Sequence, residues 1–249
     1  MHEREITVAI IGTGVGLAVG LVVAALGRSE DLVTELIPLV AAFVGAWSAF
    51  MLEKRRRDQA RKAEYLTAAN QLLFALMERI DLMGNFSAGH IAEHRESPGR
   101  MMEIPPAAGI RVPPTETRAA EIPHLFRGKD KELLLRIHES EMAFSAALTS
   151  IRIRSELHLN QAQPAIDRAG WTMDGKYVLG DVRRVLGERL YYMLESATDQ
   201  MIDHVDQYLE RATRLQKELG TAFSAEFEPQ DLYLFQLKSK QQEDSQVAG

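Results

Sequence analysis

The chain has 249 residues, a formal net charge of −6 and no cysteine, so disulfide bonds, thiolate metal sites and cysteine nucleophiles are excluded. The charge is divided unevenly, because residues 53–62 carry +4 whereas residues 63–249 carry −7. Nucleic-acid binding requires a basic face, so the acidic charge of the main domain predicts no nucleic-acid partner.

The first predicted element is an uncharged apolar run at residues 6–27, ITVAIIGTGVGLAVGLVVAALG. At ~1.5 Å per residue, a helix of this length reaches about 33 Å, which is enough to cross a hydrocarbon core of ~30 Å. A cleaved signal peptide would begin with a net positive leader, but the residues before this run, MHERE, are net negative. The run therefore predicts an uncleaved transmembrane helix.

A second transmembrane helix is predicted at residues 32–52, because residues 36–52, LIPLVAAFVGAWSAFML, carry no charge. The short linker GRSED makes the two spans an antiparallel hairpin. A basic cluster follows the second span and predicts that both termini lie in the cytoplasm, at the plasma (inner) membrane. The same cluster is predicted to contact anionic lipid headgroups, through Lys54, Arg55, Arg56, Arg57, Arg61 and Lys62.

Small residues recur every four positions in both predicted spans. The first row is Gly12, Gly16 and Gly20, and the second is Ala41, Gly45 and Ala49. Small residues at this spacing allow helix backbones to approach closely in a membrane. We therefore expect the two rows to pack against each other within one chain. The alternative is that they join neighbouring chains or line a pore.

The remaining chain predicts a cytosolic bundle of about three long helices, which makes the protein all-α. Apolar residues recur at three- and four-residue steps in 65–83, 130–159 and 178–219, with Gly84 and Gly220 as predicted stops. The predicted divisions are a transmembrane hairpin at 1–52, a basic juxtamembrane region and first cytosolic helix at 53–96, a proline-rich loop at 97–128, two long bundle helices at 129–220, and a tail at 221–249 that ends in disorder.

A short histidine motif raises the possibility of a metal site. His90, Glu93 and His94 match H-x-x-E-H, in which histidines four apart on a helix share a zinc ion and the glutamate acts as a general base. The motif stands at a predicted helix end, immediately before Ser97, and no third ligand is assigned. A solvated helix end is the simpler interpretation, so neither a metal nor any other cofactor is predicted.

A second motif, R-x5-H, joins Arg152 to His158. It resembles the Arg/His motif of HEPN-type ribonucleases, which are also helical bundles. The resemblance implies a residue pair that acts on RNA across a dimer. The acidic charge of this domain opposes RNA binding, so no catalytic residue is assigned and the chain is not predicted to be an enzyme.

The predicted function is that of a membrane-anchored scaffold, sensor or assembly module. Its partners would be the lipid bilayer and either further copies of the chain or another protein, bound through the cytosolic helices. An oligomeric pore or membrane-disrupting effector is the alternative, and it rests on the small-residue row of the first span. A hydrolase, either HEPN-like or metal-dependent, is the third hypothesis.

Overall fold

The computed structural model describes residues 30–107, 109, 110, 122, 131–170 and 179–232. These residues contain helices and turns and no strand. The prediction of an all-α fold is confirmed. The chain divides into two units, Met1–Ala63 and Glu64–Gly249. The predicted first span lies outside the described residues.

The described elements follow one another in a simple order. We label the α-helices α1 to α6, and three short π or 3₁₀ turns lie between or after them. The elements are α1 (Glu30–Phe86), a π turn (Ser87–Ile91), α2 (Arg100–Glu103), α3 (Lys131–Leu157), a second π turn (His158–Ala162), α4 (Gln163–Arg168), α5 (Leu179–Leu186), α6 (Glu188–Glu226) and a 3₁₀ turn (Pro229–Asp231).

The predicted second span, 32–52, falls within α1. Among the residues that the structure describes, we find no helix that is long and apolar enough to cross a membrane.

The second unit is a helical bundle, as predicted. The part of α1 after Ala63 joins α3 and α6 around one apolar core, because each helix has a stripe of apolar residues at three- and four-residue steps. Burying such stripes against one another is what makes separate amphipathic helices assemble. The fully buried side chains of this core include Leu72, Met83, Ile151, Tyr208 and Phe223.

A polar contact and two ring contacts join the three bundle helices at the edge of this core. Arg79 of α1 hydrogen-bonds to Glu141 of α3, and its guanidinium lies 5.1 Å from the centre of the Phe144 ring. The Phe144 ring in turn lies 5.2 Å from the ring of Tyr208 on α6. The three helices are therefore held in register by a specific set of contacts in addition to apolar burial.

A smaller apolar cluster lies beside the first. Met101 and Met102 of α2 pack there with Ile166 of α4, Val182 of α5 and Leu194 of α6. Because α2 has only four residues, its own backbone contacts stabilise it little, and the burial of its two methionines holds it in place.

Two arginine–aspartate pairs tie the chain between α1 and α3 to α6. Arg95 makes a two-point contact with Asp206, at 2.5 and 2.9 Å. Arg100 pairs with Asp199 at 2.9 Å. Both pairs are partly exposed, so each contributes about 1 kcal/mol or less. Their main effect is to fix where this segment crosses α6.

The prediction of one continuous helix over 178–219 is wrong. Gly187 has a φ of +76° and separates α5 from α6. This backbone region is open to glycine and unfavourable for other residues. Arg183 and Glu188 pair across the break at 2.6 Å, which stabilises the bend locally.

The predicted stop at Gly220 is also wrong, because α6 continues to Glu226. Leu219 and Phe223 are both fully buried, so the apolar stripe runs past the glycine. Burial of a large side chain contributes about 1.5–3 kcal/mol, which exceeds the cost of about 1 kcal/mol for glycine within a helix. Tertiary packing therefore decides where this helix ends.

The ends of α1 and α3 also differ from the predictions, because each helix continues into a short π turn. α1 ends at Phe86 and α3 at Leu157, and each continues into a five-residue π turn. Pro164 does not end the helical path, since it lies in the first turn of α4, where a missing N–H is tolerated. The proline-rich region also includes a regular element, the short helix α2.

Candidate functional site

The first candidate site is an apolar segment of α1, residues 38–52, which lies within the predicted second span. Its large side chains are exposed: Leu39 by 67%, Phe43 by 66%, Phe50 by 61% and Leu52 by 65%. From Ala68 onward most apolar residues of the same helix are buried in the bundle core, with Phe74, which is 40% exposed, as an exception. One helix thus carries an exposed apolar segment and, later in the chain, a buried apolar stripe.

The aromatic residues of this segment stack along the helix. The Phe43 and Trp47 rings lie 6.4 Å apart and nearly parallel, and Trp47 lies 6.3 Å from Phe50. Steps of three and four residues place these rings on one face of the helix. The result is a continuous aromatic surface that lies open on the helix exterior.

The predicted packing row of the second span is exposed as well. Ala41, Gly45 and Ala49 have exposed positions on α1, and a side chain added at Gly45 would meet nothing within 4 Å. The matching row, Gly12, Gly16 and Gly20, lies outside the described residues. Close packing of the two rows, and the pore hypothesis that depends on the first row, both stay predictions.

The basic cluster follows the apolar segment on α1. We call Lys54, Arg55, Arg56, Arg57, Arg61 and Lys62 the basic collar. All six side chains are exposed. Arg57 pairs with Glu53 at 2.8 Å, and within the described part of the chain the other five cations have no acidic partner. The collar is therefore a concentrated and largely unneutralised positive charge.

The histidine motif does not assemble into a metal site in the described residues. His90 stacks on Phe86, with 4.9 Å between the ring centres. His94 lies 3.6 Å from Glu103 of α2, and Glu93 is exposed. We find no group of three histidine, aspartate or glutamate side chains there that could hold a metal ion.

The structure does not bring together the two residues of the ribonuclease-like motif. Arg152 is exposed and pairs with Glu156 at 3.4 Å, whereas His158 is 5% exposed. Six residues correspond to well over one and a half helical turns, so the two side chains leave the helix on different sides. The buried neighbour of His158 is Arg154, one helical turn earlier.

Arg154 was missed by the sequence interpretation and is the most unusual polar residue of the bundle. Its side chain is completely buried, and its Nη2 donates to the carbonyl oxygens of Met101, at 2.9 Å, and Ile104. Nε and Nη1 have no partner in the described residues. Burial lowers the pKa of Arg154 to about 10, because a charged guanidinium is poorly solvated there.

Two neighbours of Arg154 extend this polar cluster. Ser155 accepts a hydrogen bond from the backbone N–H of Ala107 at 3.0 Å. His158 is buried, and neither of its ring nitrogens has a partner in the part of the chain described here. Burial and the nearby Arg154 charge lower the pKa of His158 to about 4. The imidazole is therefore neutral at pH 7.

The cluster borders an open groove of about 420 Å³. Ala107, Gly109 and Ile110 form one side of it, and α3 with the following π turn forms the other. Its lining is mainly apolar, with the Arg152–Glu156 pair as its charged part. A volume of this size matches small-ligand sites in proteins, but no convergent set of polar groups marks it for a particular ligand.

The position of Arg154 on a buried helix face could be predicted from the periodicity of the sequence. Ile151, Arg154, Ser155 and His158 follow the three- and four-residue steps of a buried helix face. Polar residues at such positions predict buried polar contacts. Their partners could not be predicted, because the carbonyls that Arg154 contacts lie at the end of the short helix α2, about fifty residues earlier.

Comparison with known proteins gives no further assignment. No family model matches this chain, and neither curated proteins nor solved structures give a significant match.

Proposed function

We propose that the protein is a membrane-anchored helical-bundle protein that acts as a scaffold, sensor or assembly module. In this proposal α1 contains the second of two membrane spans, both termini are cytoplasmic, and the bundle lies on the cytoplasmic side of the plasma (inner) membrane. The sequence pattern of two uncharged runs followed by a basic cluster supports this topology.

The observation that carries the proposal is the exposure of Leu39, Phe43, Phe50 and Leu52 on a single helical segment. Leaving a large apolar side chain in water forfeits about 1.5–3 kcal/mol. Contiguous exposed apolar surface on a protein marks an interaction with a membrane or partner. The uncharged stretch of residues 36–52 and the adjoining collar favour the membrane.

An assembly role is supported by the outer face of α3. Leu135, Met142 and Ile153 are exposed there, whereas the inner face of the helix packs against α6. Exposed large apolar residues aligned on one helix face favour contact with a protein partner or with a second copy of the chain.

Membrane anchoring is tested by introducing charge into the apolar segment and measuring the topology of the chain. In Phe43→Lys/Val44→Lys, each lysine costs about 2.5–3.5 kcal/mol of insertion free energy at a helix centre. We expect the second segment to fail to insert, so that a C-terminal alkaline phosphatase becomes active outside the cytoplasm. The matched control, Leu135→Lys/Met142→Lys, places the same charges on exposed apolar positions of α3 and should leave the reporter inactive.

Alkaline extraction of membranes provides the second readout. We expect the full chain to stay in the membrane pellet after a carbonate wash, in both the parent and the control variant. Recovery of the parent chain in the soluble fraction without detergent would overturn the proposal.

A further inference from the structure

We propose that the basic collar binds the phosphate groups of anionic lipids and selects these lipids over zwitterionic ones. This inference rests on the proposed membrane anchoring. It assigns a specific partner, the phosphate-bearing headgroup of an anionic lipid, to one surface of the protein.

The collar's positive charge is distributed around the whole circumference of the helix. Lys54, Arg55, Arg56 and Arg57 are consecutive exposed residues on α1, and four consecutive residues surround slightly more than one helical turn. The collar therefore presents positive charge on every side. A helix that lies flat on a membrane instead has its cations along one polar face. Charge on all sides fits a helix that crosses the headgroup layer and meets lipids around its circumference.

The collar's charge is poorly neutralised by the protein itself. Arg57 has Glu53 as a partner, and Asp58 is the other acid within residues 53–62. Like charges three or four residues apart, such as Arg57 and Arg61, destabilise an isolated helix by a few tenths of a kcal/mol each. Anionic headgroups would remove this repulsion and supply the missing counter-charge.

The side-chain chemistry of the collar cations favours phosphate groups. Four of the six collar residues are arginine. The planar guanidinium donates two parallel hydrogen bonds to phosphate oxygens, whereas a lysine ammonium acts as a point charge. An arginine-rich collar therefore suits phosphate groups in particular. The −7 charge of residues 63–249 opposes nucleic acid, the other abundant phosphate polymer.

Trp47 provides a direct probe, because it is partly exposed in the apolar segment that precedes the collar. The chain has two tryptophans, so Trp171→Phe leaves Trp47 as the sole fluorophore. The full chain is reconstituted in phosphatidylcholine bilayers that contain either brominated phosphatidylcholine or brominated phosphatidylglycerol. Bromine quenches tryptophan on contact, so the ratio of quenching measures the preference for the anionic lipid next to the helix.

We expect brominated phosphatidylglycerol to quench Trp47 more strongly than brominated phosphatidylcholine at low salt. Each cation near an anionic surface contributes a factor of roughly five. Arg55→Gln/Arg56→Gln/Arg61→Gln should thus reduce the preference at least about fivefold. The matched control is Arg152→Gln/Arg184→Gln/Arg214→Gln, which removes three exposed charges from the bundle and should retain the preference.

Four outcomes contradict the inference in distinguishable ways. Equal quenching by both brominated lipids in the parent chain, or a preference that survives in the collar variant, overturns the collar inference and leaves the anchoring intact. Loss of the preference on addition of inorganic phosphate at constant ionic strength shows that the collar takes free phosphate, which overturns the lipid assignment. Absence of quenching by either lipid overturns the proposed anchoring itself.

Discussion

Arg154 of α3 donates from Nη2 to the carbonyl oxygen of Met101 at 2.9 Å and also to that of Ile104. One buried side chain thereby satisfies two carbonyls at the end of α2, where a helix has no partners of its own for these groups. Because Ser155 also accepts the N–H of Ala107, two consecutive residues of α3 hold residues 101–107 against the bundle.

Replacement of Arg154 should be strongly destabilising. Arg154→Ala leaves two buried carbonyls without donors and removes a large buried side chain, so we expect the free energy of unfolding to fall by about 2–4 kcal/mol. Arg152→Ala is the control, because Arg152 is exposed and its pair with Glu156 is a surface pair, worth less than about 1 kcal/mol. Urea unfolding of the full chain in detergent, followed by circular dichroism, measures both. Equal losses in the two variants would contradict this role of Arg154.

Acid should weaken the bundle through His158. Its pKa is about 4 in the folded chain and about 6.5 in an unfolded chain, so the unfolded state binds the proton first as pH falls. Stability is therefore lost as pH drops below 6.5, by about 2 kcal/mol between pH 7.5 and pH 5. His158→Gln should flatten this dependence, whereas the exposed His138→Gln should preserve it. An identical pH profile in parent and His158→Gln would refute the assignment.

The break between α5 and α6 should depend on Gly187. An alanine there would have to adopt a φ of 76° and a ψ of 153°, a backbone region used almost only by glycine, which costs about 1–3 kcal/mol. Steric crowding is not the cause of this cost, since nothing lies within 4 Å of a Cβ atom added at Gly187. Gly180→Ala is the matched control in α5, where the φ is helical and the space is also open. We expect it to be neutral or stabilising by up to about 1 kcal/mol. Thermal unfolding that shows no difference between the two variants would contradict this explanation.

Removal of the Tyr208 hydroxyl should stabilise the bundle. The hydroxyl is buried and has no hydrogen-bond partner in the described residues, and burial raises the pKa of Tyr208. An unsatisfied buried hydroxyl costs about 1–3 kcal/mol. Tyr208→Phe keeps the ring contact with Phe144 and should raise the free energy of unfolding by about 1 kcal/mol. Tyr192→Phe, at an exposed position, should have no effect. A loss of stability in Tyr208→Phe would show that the hydroxyl has a stabilising partner.

The sequence was sufficient for those parts of the fold that depend on periodicity. Residues such as Leu72, Ile151 and Leu215 follow helical steps and are buried, which is why the all-α bundle could be predicted. Helix ends were predicted less well. Gly187 and Gly220 lie in the same apolar pattern. Gly220 remains helical, whereas Gly187 forms a break. At Gly220 the buried Leu219 and Phe223 keep the helix continuous, and this packing is not visible in the residue type itself.

The candidate sites likewise differ in how far they could be predicted from the sequence. The apolar segment and the basic collar are local properties of the sequence, so both could be located without a structure. The contacts of Arg154 connect residues about fifty positions apart, and the partners are backbone carbonyls rather than side chains. Backbone groups have no sequence signature, so these contacts could not be predicted. The Arg152–His158 motif shows the opposite error, because correct spacing in the sequence did not place the two side chains together.

The most direct test of membrane anchoring uses the absence of native cysteines. Ser48→Cys introduces a thiol in the apolar segment and Ser145→Cys introduces one on the outer face of α3, both at exposed positions of the protein. Each variant is treated with a membrane-impermeant maleimide in inside-out vesicles. Anchoring predicts that Ser145→Cys reacts readily and that Ser48→Cys reacts only after detergent is added. Equal labelling of the two thiols in intact vesicles would contradict the account.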